Sequence, residues 1–442
     1  MVKHISRRSL VKGAAGAGVA AASIGSLGAA SSTFAAPAVI QSGPVELQYW
    51  TSFGSGVNGD AQTALIDAFH ASQSDIKVVP QILENYEAIA AQLITGLQTG
   101  DVPHVAILSD VWWFRFYLSQ SIQDLTPFLG DLDTEDYVES LFVEYARNGG
   151  QYAVPFARST PLFYYNADAF EAAGVSEDAV ATWSSFREAA PELISGSGKE
   201  AAFLFGNAAS YGAWVLQGPT WAFGGAYSNP EFQIQLTEEG AVNTATFMQE
   251  FVTSGNALAV ADPVVDFGNE VACAIMGSTG SLGTIRTASE GKFNFKTAFL
   301  PEELQFGCCT GGAGLAMIAG LDETYQAAAI EFMKFSTSPE TTTTWSQATG
   351  YMPVRTSAIA SEAEQAFLDE NPNARTAVEQ LSLTQPQDSA RVFIPNGDQM
   401  LGRGWEQILV QTRDVTEVWE EVTAELEPEA EIVLEQLAAI EG

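Results

Sequence analysis

Between Val45 and Ser109 the chain switches period four times. VELQYW (45–50), IKVVPQIL (76–83) and HVAILS (104–109) read as short strands. AQTALIDAFHAS (61–72) carries Leu65, Ile66 and Phe69 at helical spacing, and YEAIAAQLITGLQTG (86–100) is an amphipathic helix closed by Gly100. Asn85 ends the second strand. A strand–helix–strand–helix–strand order joins parallel strands through crossover helices, so this part of the chain can only fold as a layered α/β domain.

The pattern restarts after Gly150. QYAVPFA (151–157) and PLFYYN (161–166) are strand-like, ADAFEAAG (167–174) is a helix stopped by Gly174, and Thr182 caps TWSSFREAAPELI (182–194). VACAIMGST (271–279), FKTAFLP (295–301) and GGAGLAMIAG (311–320) read as strands. ETYQAAAIEFMKFSTS (323–338) is a helix, and 359–381 and 404–441 are mostly helical by period. At 442 residues the chain exceeds one compact core, so two domains are expected. No internal repeat and no low-complexity linker separates them, which predicts short ordered crossings between two lobes.

The first residues carry Arg7, Arg8 and Lys12 ahead of a long Ala/Gly run that ends in small residues around Ala36 and Ala38. This is the pattern of an export leader over 1–38, and the Arg7-Arg8 pair resembles a twin-arginine signal. A membrane anchor is the bland alternative, but an Ala/Gly run inserts poorly. Residues 1–38 hold four Lys/Arg and no acidic residue, so their removal takes the formal charge from −35 to −39. Such a surface repels nucleic acid and anionic membrane. Cys273, Cys308 and Cys309 have no metal-ligand spacing and form no disulfide framework. In an exported chain Cys273 could pair with Cys308 or Cys309, or all three could be buried small apolar residues.

The chemistry of catalysis is not visible. Beyond the leader only His70 and His104 remain, and both read as structural or exposed. There is no HExxH, no CxxC and no phosphate-binding GxxxxGK[ST]. GSTGSLG (277–283) does not form a nucleophile elbow, and GGAG (311–314) lacks the third glycine of a dinucleotide fingerprint. No cofactor and no metal is expected, and the chain is read as a non-enzyme.

The quoted strands and helices, with FARSTPLFYYNADAFEAAG (156–174), TWSSFREAA (182–190) and TGYMPVR (349–355), resemble the family 1 extracellular solute-binding proteins of ABC importers. The similarity spans roughly 45–430 and is nearest to the glycerol-3-phosphate-binding branch. It implies a two-lobed periplasmic-binding-protein fold of type II, each lobe a sheet flanked by helices, with ligand held in the cleft between. The expected division is 39–157 plus 299–346 for lobe 1 and 158–298 plus 347–442 for lobe 2.

The same resemblance implies the site. Tyr86 matches the tyrosine of the NYE motif, and Asp110 stands where a glutamate is usual. Ser159 matches the serine of the hinge motif, but Arg158 replaces the small residue before it. Tyr211 and Trp214 match an aromatic pair of the second lobe, Ser278 the SxGSL motif, and Gly312 a GGA turn. Tyr351 matches TGY, and Arg391 the arginine after the acidic loop. Bland readings stand beside each. Asp110 could cap the helix at VWWFRFYL, Ser278 and Gly312 could be turn residues, Tyr351 and Trp214 core aromatics, and Arg391 a salt-bridge partner. Arg158 could meet an anionic ligand, or pair with an acid and brace the hinge. As a set, hydroxyls, a glycine amide and a guanidinium suit a small phosphorylated polyol.

Three functions follow from this reading. The first is a monomeric receptor for glycerol-3-phosphate or a glycerophosphodiester that delivers its ligand to permease subunits; a choline diester suits Tyr211, Trp214 and Asp110. The second is a neutral-oligosaccharide receptor of the same fold, favoured by the global negative charge. The third is a secreted carbohydrate-active enzyme.

Overall fold

The computed structural model describes residues 43–207 and 211–442. The expected leader over 1–38 lies outside the described residues. Two five-stranded sheets organise the chain. The first contains β1 (Val45–Thr51), β2 (Ile76–Ile82), β3 (Val105–Ser109), β4 (Val154–Ser159) and β10 (Gly311–Met317), in the order β2-β1-β3-β10-β4. β1 runs parallel to β2 and β3, joined by helices α1 (Gly56–Ser72) and α2 (Tyr86–Thr99), as the alternation requires. β10 is antiparallel to both β3 and β4, because the chain returns to this sheet from the other one.

The second sheet contains β5 (Pro161–Asn166), β6 (Ala201–Gly206), β7 (Ala257–Val260), β8 (Ala272–Ser278) and β9 (Phe295–Ala298), in the order β9-β5-β8-β6-β7. Helix α3 (Gly212–Ala222) follows β6, and α4 (Gly397–Leu409) and α5 (Val415–Glu441) end the chain. β3, β4, β5 and β6 are buried at every position. Strands covered on both faces need no polar alternation, which is why HVAILS and PLFYYN read as near-continuous apolar runs.

The chain leaves the first sheet at Ser159 and enters the second at Pro161, with Thr160 fully buried between them. A hydroxyl at this crossing could face the cleft. Instead the Thr160 hydroxyl accepts from Gln380 Nε2 at 3.1 Å, and the same Nε2 donates to the Pro161 carbonyl at 2.7 Å. Gln380 Oε1 in turn accepts the Leu300 amide at 2.9 Å, on the segment by which the chain returns. One buried amide therefore ties the outgoing and returning passages together.

Local punctuation follows the sequence closely in places. Asn85 Oδ1 accepts the Ala88 amide at 2.8 Å and caps α2, while Gly100 closes that helix at φ 84°. Thr182 and Ser185 form a reciprocal capping box. His70 and His104 are structural: their ring nitrogens accept the Val78 and Gln48 amides of neighbouring strands. All three cysteines are free and buried, with Cys308 directed at the Pro161 carbonyl and Cys309 at the Trp214 carbonyl. No helix among the described residues is long and apolar enough to cross a membrane.

Candidate ligand-binding cleft

A cavity of about 390 Å³ opens between the two sheets, lined from one side by Tyr86, Ser109, Asp110, Ser159 and Gly312 and from the other by Tyr211, Trp214 and Ser278. Tyr351 and Arg391 complete the wall. Nine of the ten residues singled out in the sequence thus meet in one space. The tenth, Arg158, does not line it.

Each lining residue is placed by a local cause. The Asn85 cap fixes Tyr86 in the first turn of α2. Ser109 ends β3, and Asp110 follows it beside Gly312, whose carbonyl accepts the Asp110 amide at 3.0 Å. Gly312 has φ 99°, and a Cβ there would lie 2.1 Å from the Ala157 carbonyl, so only glycine fits. Tyr351 follows Gly350, which ends a helix at φ 95° with no room for a Cβ beside the Thr279 carbonyl. Its ring stacks on Trp345 at 5.9 Å and meets Phe53 edge-on. Ser278 is both a turn residue and a lining residue: its hydroxyl accepts the Gly280 amide at 3.1 Å. Tyr211 takes a left-handed backbone ahead of α3 and stays 41% exposed, so it stands at the mouth.

The electrostatic centre is Arg391. Its Nε lies 2.7 Å from Asp398 Oδ1 and its Nη1 lies 3.3 Å from Asp110 Oδ2. Gln387 bonds both Arg391 and Asp110. Burial opposes the guanidinium charge, but Asp398 and Asp110 more than restore it and hold its pKa above the ordinary value. Burial raises the Asp398 and Glu87 carboxyls, and Arg391 draws Asp398 part of the way back. Asp110 is not the cap of the following helix; its Oδ1 accepts only the adjacent Val111 amide, at 2.9 Å.

Glu87, Asp398, Asp262 and Asn58 also line the cavity and were missed in the sequence. Glu87 adjoins Tyr86 in the NYE motif and had a local signal. Asp398 had none, being one of 54 acidic residues. Ser109, 3% exposed, lines the cavity, and its buried hydroxyl has no protein partner. Buried hydroxyls are normally satisfied, so this one is an exception beside the cavity.

Arg158 is placed elsewhere. Its side chain is fully buried behind β4, where it pairs with Glu144 and donates to Tyr145 Oη at 2.6 Å. Burial lowers its pKa to about 10, which leaves it charged. It therefore takes the bracing position and offers no group to the cavity.

A family model described as "Bacterial extracellular solute-binding protein" matches residues 64–376. The chain belongs to this family. Among solved structures of solute-binding proteins, UgpB from Mycobacterium tuberculosis in complex with glycerophosphocholine is 37% identical, with a TM-score of 0.82 over 90% of this chain and 100% of that one. The sn-glycerol-3-phosphate-binding periplasmic protein UgpB of Pectobacterium atrosepticum is 26% identical over 360 residues, 76% of this chain and 79% of the relative. The cyclic alpha-maltosyl-1,6-maltose binding protein from Arthrobacter globiformis shares the fold at 21% identity and a TM-score of 0.74, over 88% of this chain and 99% of that one. The two-lobed α/β architecture expected from the sequence is the architecture of this solute-binding family.

Proposed function

We propose that this protein is the exported solute-binding component of an ABC importer and takes a glycerophosphodiester, with glycerophosphocholine foremost, into the cleft between its sheets. The observation that carries this is the charge of the cavity. Among the described lining residues, Arg391 is the one cationic side chain, facing Glu87, Asp110, Asp262 and Asp398. Two of these four already pair with it. A glycerol-3-phosphate dianion adds negative charge to a site with an excess of it. A choline diester carries one phosphate charge and brings its own cation, which the carboxylates and the Tyr211 and Trp214 rings attract. Ser159, Ser278, the Gly312 amide and the Tyr86 and Tyr351 hydroxyls supply donors for the phosphodiester.

The UgpB relatives named above support the reading, since one is seen with glycerophosphocholine. A neutral oligosaccharide is the second reading, because carboxylates and aromatic rings also suit sugar hydroxyls and faces. In this reading the bound solute is delivered to permease subunits.

Isothermal titration of the wild-type protein with glycerophosphocholine, glycerol-3-phosphate and maltose decides between them. Tight binding of the diester, weaker binding of the monoester and none of maltose is expected. Maltose binding with no response to either phosphate ester would replace the proposal with the sugar reading.

A further inference from the structure

Arg158 does not line the cavity, yet both of its ends lead to it. Its carbonyl accepts the Met352 amide at 2.7 Å, next to Tyr351. Its guanidinium pairs with Glu144. The other oxygen of the Glu144 carboxylate accepts the Thr310 hydroxyl. The Thr310 carbonyl accepts Trp214 Nε1 at 3.0 Å. Gly311 allows this approach, because a Cβ there would sit 2.4 Å from that same indole nitrogen. The relay starts on β4 of the first sheet and ends on α3, which packs with the second.

We propose that Arg158 is a positioning residue: through Glu144 and Thr310 it sets the orientation of the Trp214 indole, and so holds the aromatic wall of one lobe in register with the hinge strand of the other. This rests on the reading of the cavity as the ligand site. The physical reason is the cost of leaving buried partners unmatched. Arg158 is fully buried and Glu144 nearly so, and neither can turn to water if the other moves. The pair therefore confines Thr310, and Thr310 confines the indole N–H. The Tyr351 side is held by a main-chain bond, so a side-chain change at Arg158 acts on Trp214 and spares Tyr351.

The test combines a signature in the free protein with a double-mutant cycle. In wild-type protein carrying 15N-indole labels, Arg158→Met and Thr310→Val should each shift the Trp214 Nε1–H resonance and speed its hydrogen exchange, with the other tryptophans little changed. Each variant should weaken glycerophosphocholine binding about tenfold, and the loss should shrink to less than about twofold in a Trp214→Ala background. Combining Arg158→Met with Thr310→Val should add nothing to either alone. An unchanged Trp214 resonance in both variants overturns the proposal, as does an equal loss with and without Trp214. Should Arg158→Met fail to fold, Thr310→Val, which removes one hydroxyl and keeps the volume, carries the same comparison. Failure of wild-type protein to bind any phosphate ester would instead sink the ligand reading, while the resonance still reports on the relay.

Discussion

Asp398 and Arg391 are seven residues apart in sequence and 2.7 Å apart in space, across the turn that starts α4. The cation in the cleft is therefore committed before any ligand arrives. Arg391→Ala would strand Asp398 and Asp110 together in a buried site. A loss on the order of 2–5 kcal/mol in binding is expected, as for one half of a buried pair. Asp398→Asn should do the opposite for the monoester. With one carboxylate neutralised, glycerol-3-phosphate should gain about tenfold, or ~1.4 kcal/mol, relative to glycerophosphocholine. Calorimetry on both ligands checks this, and an equal loss for both would assign Asp398 a purely structural role.

Gly312→Ala should damage stability and binding together. The position has φ 99° and its new Cβ would meet the Ala157 carbonyl. Strain of this kind costs about 1–3 kcal/mol before any clash is relieved. Because the Gly312 carbonyl holds the Asp110 amide, the displacement passes directly to Asp110. A thermal melt and a titration on the same sample test it; an unchanged Tm would show that β10 can shift without cost.

Asp388 gives a pH dependence of known sign. Burial raises its pKa to about 6, although it accepts the Tyr227 amide at 2.7 Å and Trp221 Nε1 at 3.1 Å. The folded value lies above the unfolded one, so the folded state favours the proton. Its contribution is fully present below pH ~4 and is lost as pH rises through about 6. The wild type should lose about 2 kcal/mol relative to Asp388→Asn between pH 4 and 7. Denaturant melts of the pair across this range measure the difference, and a flat difference would place the Asp388 titration elsewhere.

Lobe closure is expected on ligand binding, since the cavity lies between two sheets joined by short passages. Small-angle scattering should give a smaller radius of gyration with saturating glycerophosphocholine than without it. Identical curves would mean that the cleft is already closed in the free protein.

Much of this was legible in the sequence where the determinants are local. The alternation over 45–109, the Asn85 and Gly100 boundaries and the Thr182 cap all depend on residues within a few positions of each other. The cleft was reached through motifs that name one residue each. What the sequence concealed is pairing between distant residues: Asp110 with Arg391, and Glu144 with both Arg158 and Thr310. No period or spacing records which acid a given arginine will meet when acids outnumber bases 54 to 19. Helix α3 was missed for another reason. All eleven of its residues are buried, and a helix apolar on every side has no amphipathic rhythm to read.

The Gln380 amide has a mechanical consequence. Two passages link the lobes near it, and its one side chain bonds both of them. Two ropes left separate permit twisting, sliding and swinging, whereas two ropes knotted at one point leave chiefly a swing. Motion of the lobes is thereby reduced toward a single coordinate, with open and shut as its ends. A transporter that docks on such a carrier has a binary state to sense, so occupancy can be reported by shape alone without contact with the cargo.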